Sequence, residues 1–199
     1  MFIDEPDPSP ERQALYEDDI KDLGYVMNLT RAWAWIPAIN DGLFGILDRA
    51  AQIGDLSYRD KGILITAMAS RMGDSYCSLA WGTRLAEATD AATAAAVIVG
   101  QPSESMTVRD VALASWARKL ADDPNSTTQD DVDDLRGAGL SDQQIVAVTA
   151  YVALRVAFST VNDAIGAAPD HERAEAAPPE VASAISFGRP TDQSPSTGR

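Results

Sequence analysis

The segment Gly73-Asp74-Ser75-Tyr76-Cys77-Ser78-Leu79-Ala80-Trp81-Gly82-Thr83-Arg84 holds the one cysteine of the chain. If Asp74 is the N-cap of a helix, Cys77 lies in its first turn, where unpaired backbone N–H groups and the helix dipole favour a thiolate. The Asp74 carboxylate, three residues away, opposes that effect, and no Lys or His stands one turn before or after Cys77. A lone cysteine also serves as a small core hydrophobe, so both readings of Cys77 stay open. Asp74, Cys77, Trp81 and Arg84 recur at i, i+3, i+7 and i+10 and share one helical face. A carboxylate, a thiol, an indole and a guanidinium there could line a small pocket. They could equally be a cap, two core residues and a surface ion pair between Arg84 and Glu87 or Asp90.

A second constellation lies near the end of the chain. Arg155, Ser159, Asn162 and Asp163 form a polar stripe among Val152, Leu154, Val156, Phe158, Val161 and Ile165. Polar groups on a buried helix must be satisfied by partners, water or a ligand. For Arg155 the alternatives are an ion pair to another helix or subunit and a place in a ligand site. His171, the one histidine, sits among Asp170, Glu172 and Arg173 and reads as a solvated surface residue. Phosphate-binding Gly-rich loops, nucleophile elbows and paired metal ligands are missing, and the acids at Asp122-Asp123 and Asp130 to Asp134 lack the order of a calcium loop.

The elements that must position these residues read as helices throughout. Ser9-Pro10 opens a first helix to Leu23, and Pro37 opens a second apolar series through Ala50. Ser57 with Asp60 begins a helix, apolar nearly all round from Ile63 to Ala69, that Gly73 closes. Asp74 restarts the chain, and Ala91 to Val99 ends at Gly100. Thr107 with Asp110 opens a helix that stops before Pro124, Thr128 to Arg136 forms a short one, and Ser141 with Gln144 caps the last, which Gly166 ends. Apolar spacing follows the helical period everywhere, so the fold class is all-α. The expected organisation is a disordered lead-in over 1–10, one helical domain over 11–168, and an extended, partly disordered tail over 169–199, with Ser194 to Arg199 disordered. Helices apolar on most sides, from Ile63 and from Ile145, imply a homo-oligomer.

Composition limits the partners. The 199 residues are 45% hydrophobic and 23% charged, with a formal net charge of -14, which repels phosphate backbones and anionic lipid. No nucleic acid and no membrane is expected as a partner. One Cys and one His exclude an internal disulfide and a Cys/His zinc site, so no metal and no cofactor is expected. No run of about eighteen apolar residues appears and the first residues do not resemble a signal peptide, so the expected location is cytoplasmic.

The stretch Leu56-Ser57-Tyr58-Arg59-Asp60-Lys61-Gly62 through Asp74-Ser75-Tyr76-Cys77-Ser78-Leu79-Ala80-Trp81 resembles the core of the alkylhydroperoxidase D-like, carboxymuconolactone decarboxylase superfamily, most of all its peroxidase-related branch. The similarity continues through Thr107-Val108-Arg109-Asp110, Leu135-Arg136-Gly137-Ala138-Gly139-Leu140-Ser141-Asp142 and Phe158-Ser159-Thr160-Val161-Asn162-Asp163-Ala164-Ile165-Gly166. Redox members of that superfamily carry a Glu on one helix and Cys-x-x-Cys-x-x-x-His on the next. Laid on this chain, the second Cys falls on Cys77, the first on Asp74, the His on Trp81 and the Glu on Gly62, so the motif is degenerate and the two-thiol relay cannot operate.

The resemblance thus implies an oligomeric alkylhydroperoxidase D-like bundle and a peroxidase-related oxidoreductase. It would be at most a slow one-Cys thiol peroxidase through Cys77, using a hydroperoxide and a small external thiol as resolving partner. Its site would comprise Cys77, Asp74 and Trp81 as catalytic residues and Tyr76, Arg84, Arg155 and Asn162 as substrate contacts. The alternatives are a non-redox small-molecule enzyme or binder of the same superfamily and a non-catalytic helical oligomer.

Overall fold

The computed structural model of the protein describes residues 1–193, which form eleven α-helices and one 3-10 turn, with no strand among the described residues. In chain order these are α1 Pro10–Leu23, α2 Asn28–Trp33, α3 Pro37–Ile53, α4 Tyr58–Met72, α5 Ser75–Ala88, α6 Ala91–Val99 and α7 Val108–Asp122. The turn Pro124–Ser126 follows, then α8 Gln129–Gly137, α9 Asp142–Ala164, α10 His171–Ala176 and α11 Pro179–Ala184. The all-α expectation holds, and the boundaries fall where local chemistry puts them. Full capping boxes stand at Ser57/Asp60, Thr107/Asp110, Thr128/Asp131 and Ser141/Gln144, each pairing two backbone donors that a helix start leaves open.

α4 is the central helix and packs chiefly on α5 and α7, with α6 and α9 closing the remaining sides. Its residues from Gly62 to Ala69 are all buried. Gly62 permits the close approach of α5, since a Cβ there would stand 3.1 Å from the Leu85 side chain. The starts of α4 and α7 are cross-linked: Arg59 pairs with Asp110 at 2.7 Å and Arg109 with Asp60 at 2.9 Å. Each acid thus caps its own helix and holds the arginine of the other, which fixes the relative register of α4 and α7. Because α4 is covered within the chain, its apolar surface does not call for a second subunit. Exposed apolar side chains lie elsewhere, among them Ile39, Ile46 and Ile53 of α3, Val108 and Val111 of α7 and Val146 of α9.

α9 is long and apolar enough to cross a membrane by length and composition alone. In this fold it is a core helix, packed against α3, α4 and α7, and its polar stripe Arg155, Ser159 and Asn162 is buried.

The segment beyond Pro169 departs from the expected extended tail. It forms α10 and α11, and Val181 is fully buried against α5 and α6. Gly82 makes room for it, because a Cβ there would meet both Val181 and Ile98 at 3.0 Å. The chain then returns across the start of α5, where the Ser75 hydroxyl donates to the Arg189 carbonyl at 2.8 Å. At Gly188, with φ +73°, a Cβ would stand 2.5 Å from the Gly73 carbonyl oxygen; only glycine allows the two backbones this close. The lead-in is likewise attached rather than free. The Phe2 N–H donates to the Ile165 carbonyl at 2.9 Å, the Trp35 indole donates to the Asp4 carbonyl at 3.0 Å, and Glu5 pairs with Arg31. Ser194 to Arg199, expected to be disordered, lies outside the described residues.

Candidate functional site

α4 ends at Gly73 in the left-handed region, φ 78°, so the chain turns directly into α5. Asp74 is its N-cap as expected, and its Oδ1 accepts the Cys77 backbone N–H at 2.9 Å. The carboxylate is wholly buried and Oδ2 has no hydrogen-bond partner. Cys77, in the first turn, is 2% exposed.

α9 supplies the opposing groups. Arg155 is buried and its Nη2 reaches the Cys77 sulfur at 4.0 Å. It forms no ion pair among the described residues. Instead its guanidinium lies 5.4 Å from the Trp81 ring centroid and 5.0 Å from that of Phe158, contacts in which the ring quadrupole attracts the cation. Phe158 stacks on Trp33 at 5.0 Å, and the Trp33 indole donates to Asn162 Oδ1 at 2.8 Å. Trp81 also carries the Arg84 guanidinium, 4.9 Å from its centroid. A line of aromatic rings and cations therefore runs from Trp33 through Phe158, Arg155 and Trp81 to Arg84.

The electrostatics decide the state of the thiol. Burial, then the neighbouring Asp74 charge, push the Cys77 thiol from 9.0 up to about 12, while Arg155 and the Ser159 hydroxyl act in the opposite direction and do not balance them. At pH 7 the thiolate fraction is on the order of 10⁻⁵. The helix N-terminus alone therefore does not activate this cysteine, because taking the charge out of water costs more than the dipole returns. Asp163, at the end of the same stripe, is raised from 3.8 to about 6 by desolvation and by Asp74, with Arg189 pulling it down.

Of the expected site residues, Asp74, Cys77, Trp81 and Arg155 come together, with Asn162 linked through Trp33 and Phe158. Two depart from expectation. Tyr76 is buried and its hydroxyl donates to Asp170, which also accepts the Asn28 N–H at 2.8 Å; one residue from Cys77 on a helix points about 100° away, and this ring ties α5 to the tail instead of meeting a substrate there. Arg84 pairs with neither Glu87 nor Asp90; it packs on Trp81 at an open cleft distinct from the thiol. His171 is half-buried and meets Glu175 at 3.4 Å.

Trp33 and Phe158 were not singled out in the sequence as site residues; an aromatic three residues after Arg155 was the available signal. Arg189 had none, because its place depends on the returning tail. Among the described residues no group of three or more His, Cys, Asp or Glu could hold a metal ion.

No protein-family model matches the sequence, and no curated protein matches it. Solved structures do. An uncharacterized peroxidase-related protein from Ralstonia eutropha JMP134, described as an alkylhydroperoxidase AhpD core, superposes with TM-score 0.74 at 22% identity, covering 86% of this chain and 93% of that one. The debrominase Bmp8 in its apo form gives TM-score 0.69 at 13% identity, covering 88% and 92%. A cysteine-to-alanine variant of Bmp8 in complex with 2,3,4-tribromopyrrole gives 0.67 at 15% identity, covering 84% and 89%. The superposition on the alkylhydroperoxidase core places this chain in the alkylhydroperoxidase D-like helical fold.

Proposed function

We propose that the chain is a peroxidase-related protein in which Cys77 performs at most slow one-thiol chemistry. The observation that carries this reading is the Arg155 guanidinium held 4.0 Å from the Cys77 sulfur at the start of α5, with the Ser159 hydroxyl also favouring the thiolate. In the step this permits, the Cys77 thiolate attacks one oxygen of a hydroperoxide, the O–O bond breaks, and the alkoxide leaves as the alcohol with a proton from solvent. The resulting sulfenic acid condenses with an external thiol, releasing water, and a second external thiol restores Cys77 and departs in the disulfide. Position 74 is an aspartate, so no internal thiol can take the external one's place. The buried, protonated resting thiol makes the first step slow.

A second reading rests on a separate observation. Asp74 Oδ2, Arg155 Nε and Asn162 Nδ2 are all buried without a hydrogen-bond partner. Buried polar groups left open in one place suit a small polar ligand. Trp33, Trp81 and Phe158 beside them suit a planar one, and a protein of this fold holds 2,3,4-tribromopyrrole. Stopped-flow mixing with a hydroperoxide and excess external thiol separates the two. Slow turnover abolished in Cys77→Ser supports thiol chemistry. Turnover absent from the parent, or equal in Cys77→Ser, leaves the non-redox binder.

The exposed Ile39, Ile46 and Ile53 of α3 recur at heptad spacing and supply the surface for a homo-oligomer. Light scattering should give more than one chain mass, reduced to one by Ile46→Glu; a monomeric parent at micromolar concentration would contradict this.

A further inference from the structure

Arg189, in the strap after α11, joins three elements that lie far apart in sequence. Its backbone carbonyl accepts the Ser75 hydroxyl at the start of α5, and its Nη2 donates to the Asp163 carbonyl near the end of α9 at 2.9 Å. The same guanidinium lies 4.5 Å from the Phe2 ring centroid. Phe2 is itself seated on the end of α9. Its N–H donates to the Ile165 carbonyl at 2.9 Å, and its ring lies so close over Gly166 that a Cβ there would stand 3.0 Å from it.

These contacts sit at the edge of the thiol site. Cys77 faces Asp74 at the start of α5 and Arg155 and Ser159 on α9. Asp163, one turn beyond Ser159, acts electrostatically on Asp74 across the same junction, and Arg189 acts on Asp163. Arg189 therefore stands where α5 begins and α9 finishes. With Gly188 pressed against the Gly73 carbonyl, it closes that end over a thiol only 2% exposed. The closure is weakly held. Phe2 is 70% exposed, so its ring can swing away without opening the core. Arg189 Nε is buried with no hydrogen-bond partner, a donor stripped of water and left open, which lowers the cost of leaving the closed position.

We propose that Arg189 is the gate of the thiol site and Phe2 its latch, so that this pair determines the size of molecule that reaches Cys77. Latched, the strap admits the smallest oxidants, such as hydrogen peroxide, and retards bulky organic hydroperoxides. With Phe2 displaced, both enter at Asp74 and Asp163. The oxidant of a thiol reaction and a ligand of a non-redox site would pass the same gate, so the inference stands apart from the choice between those two readings.

The test labels Cys77 in the full chain at pH 8 with two neutral thiol reagents of different size, methyl methanethiosulfonate and the bulkier dithiodipyridine, with Cys77→Ser as the blank. In Phe2→Ala the dithiodipyridine rate should rise about two- to fivefold, as the open population grows by the strength of an exposed cation–π contact. The methyl methanethiosulfonate rate should stay near that of the parent. Phe2→Tyr keeps the ring and should label as the parent does. Arg189→Ala should raise the ratio of the two rates at least as far, and Phe2→Ala added to it should change nothing more, because the latch then has nothing to hold. Should Arg189→Ala fail to fold, the Phe2 variants decide. Unchanged dithiodipyridine labelling in Phe2→Ala, equal acceleration of both reagents, Phe2→Tyr labelling like Phe2→Ala, or a full further effect of Phe2→Ala on the Arg189→Ala background would overturn the proposal.

Discussion

Arg155 holds its Nη2 4.0 Å from the Cys77 sulfur, yet the thiol beside it stays protonated at neutral pH. A buried cation without a carboxylate is costly, and here the aromatic rings of Trp81 and Phe158 take the place of a counter-ion. Asp74, held in place by capping the same turn, supplies the charge that works against the thiolate.

Replacing either charge should shift Cys77 in opposite directions. Asp74→Asn keeps the capping oxygen and removes the charge, so alkylation of Cys77 by iodoacetamide at pH 8 should accelerate by about tenfold for each unit that the thiol pKa falls. Arg155→Met keeps the bulk between Trp81 and Phe158 and should slow the same reaction. Asp74→Ala loses the cap as well and should cost about 1 kcal/mol in a denaturant titration. Equal alkylation rates in the parent, Asp74→Asn and Arg155→Met would show that neither charge acts on the sulfur.

The strap over the start of α5 should control access to Cys77. Gly188→Ala puts a Cβ into the Gly73 carbonyl and into an unfavourable φ, so the contact of Ser75 with the Arg189 carbonyl should be lost. The variant should remain helical by circular dichroism while its thiol reacts several-fold faster with a bulky disulfide reagent. Unchanged labelling would mean that the tail does not guard the thiol.

Helix starts were legible in the sequence because capping is local: Ser57/Asp60, Thr107/Asp110 and Ser141/Gln144 announce themselves within four residues, as do the Gly73, Gly100 and Gly166 stops. The tail was not legible. α10 and α11 are short, their stretch is rich in Ala, Pro and Glu, and only contacts with α5 and α6, far away in sequence, hold Val181 in the core. The same limit applies at the site. Asp74 and Cys77 follow from one helix turn, and the α9 stripe from its polarity. That Tyr76 faces Asp170 and Arg84 opens on a separate cleft depends on where α10 lands. The degree of thiol burial, set by α9 and the returning tail together, has no local signature.

Asp163 should give the fold a pH dependence of known sign. Its folded value, about 6, lies above the ordinary 3.8. Between these values the folded chain retains a proton that the unfolded chain has released, so this residue's contribution to stability is present below about pH 4 and is lost as pH rises through about 6. Melting curves of Asp163→Asn and the parent, compared across pH 4 to 7, should converge at the acid end and separate towards neutrality, with the variant the more stable. Parallel curves would assign the carboxyl an ordinary environment.

The most direct measurement is the pH–rate profile for alkylation of native Cys77 by iodoacetamide, read by mass spectrometry with Cys77→Ser as the blank. With the thiol raised from 9.0 to about 12, the rate at pH 7 should be on the order of a thousandth of that of an unperturbed thiol. It should still climb tenfold per pH unit at the highest pH at which the chain stays folded. A plateau or inflection below pH 9, or alkylation at pH 7 as fast as that of a small free thiol, would contradict the claim that this site holds its cysteine protonated and slow.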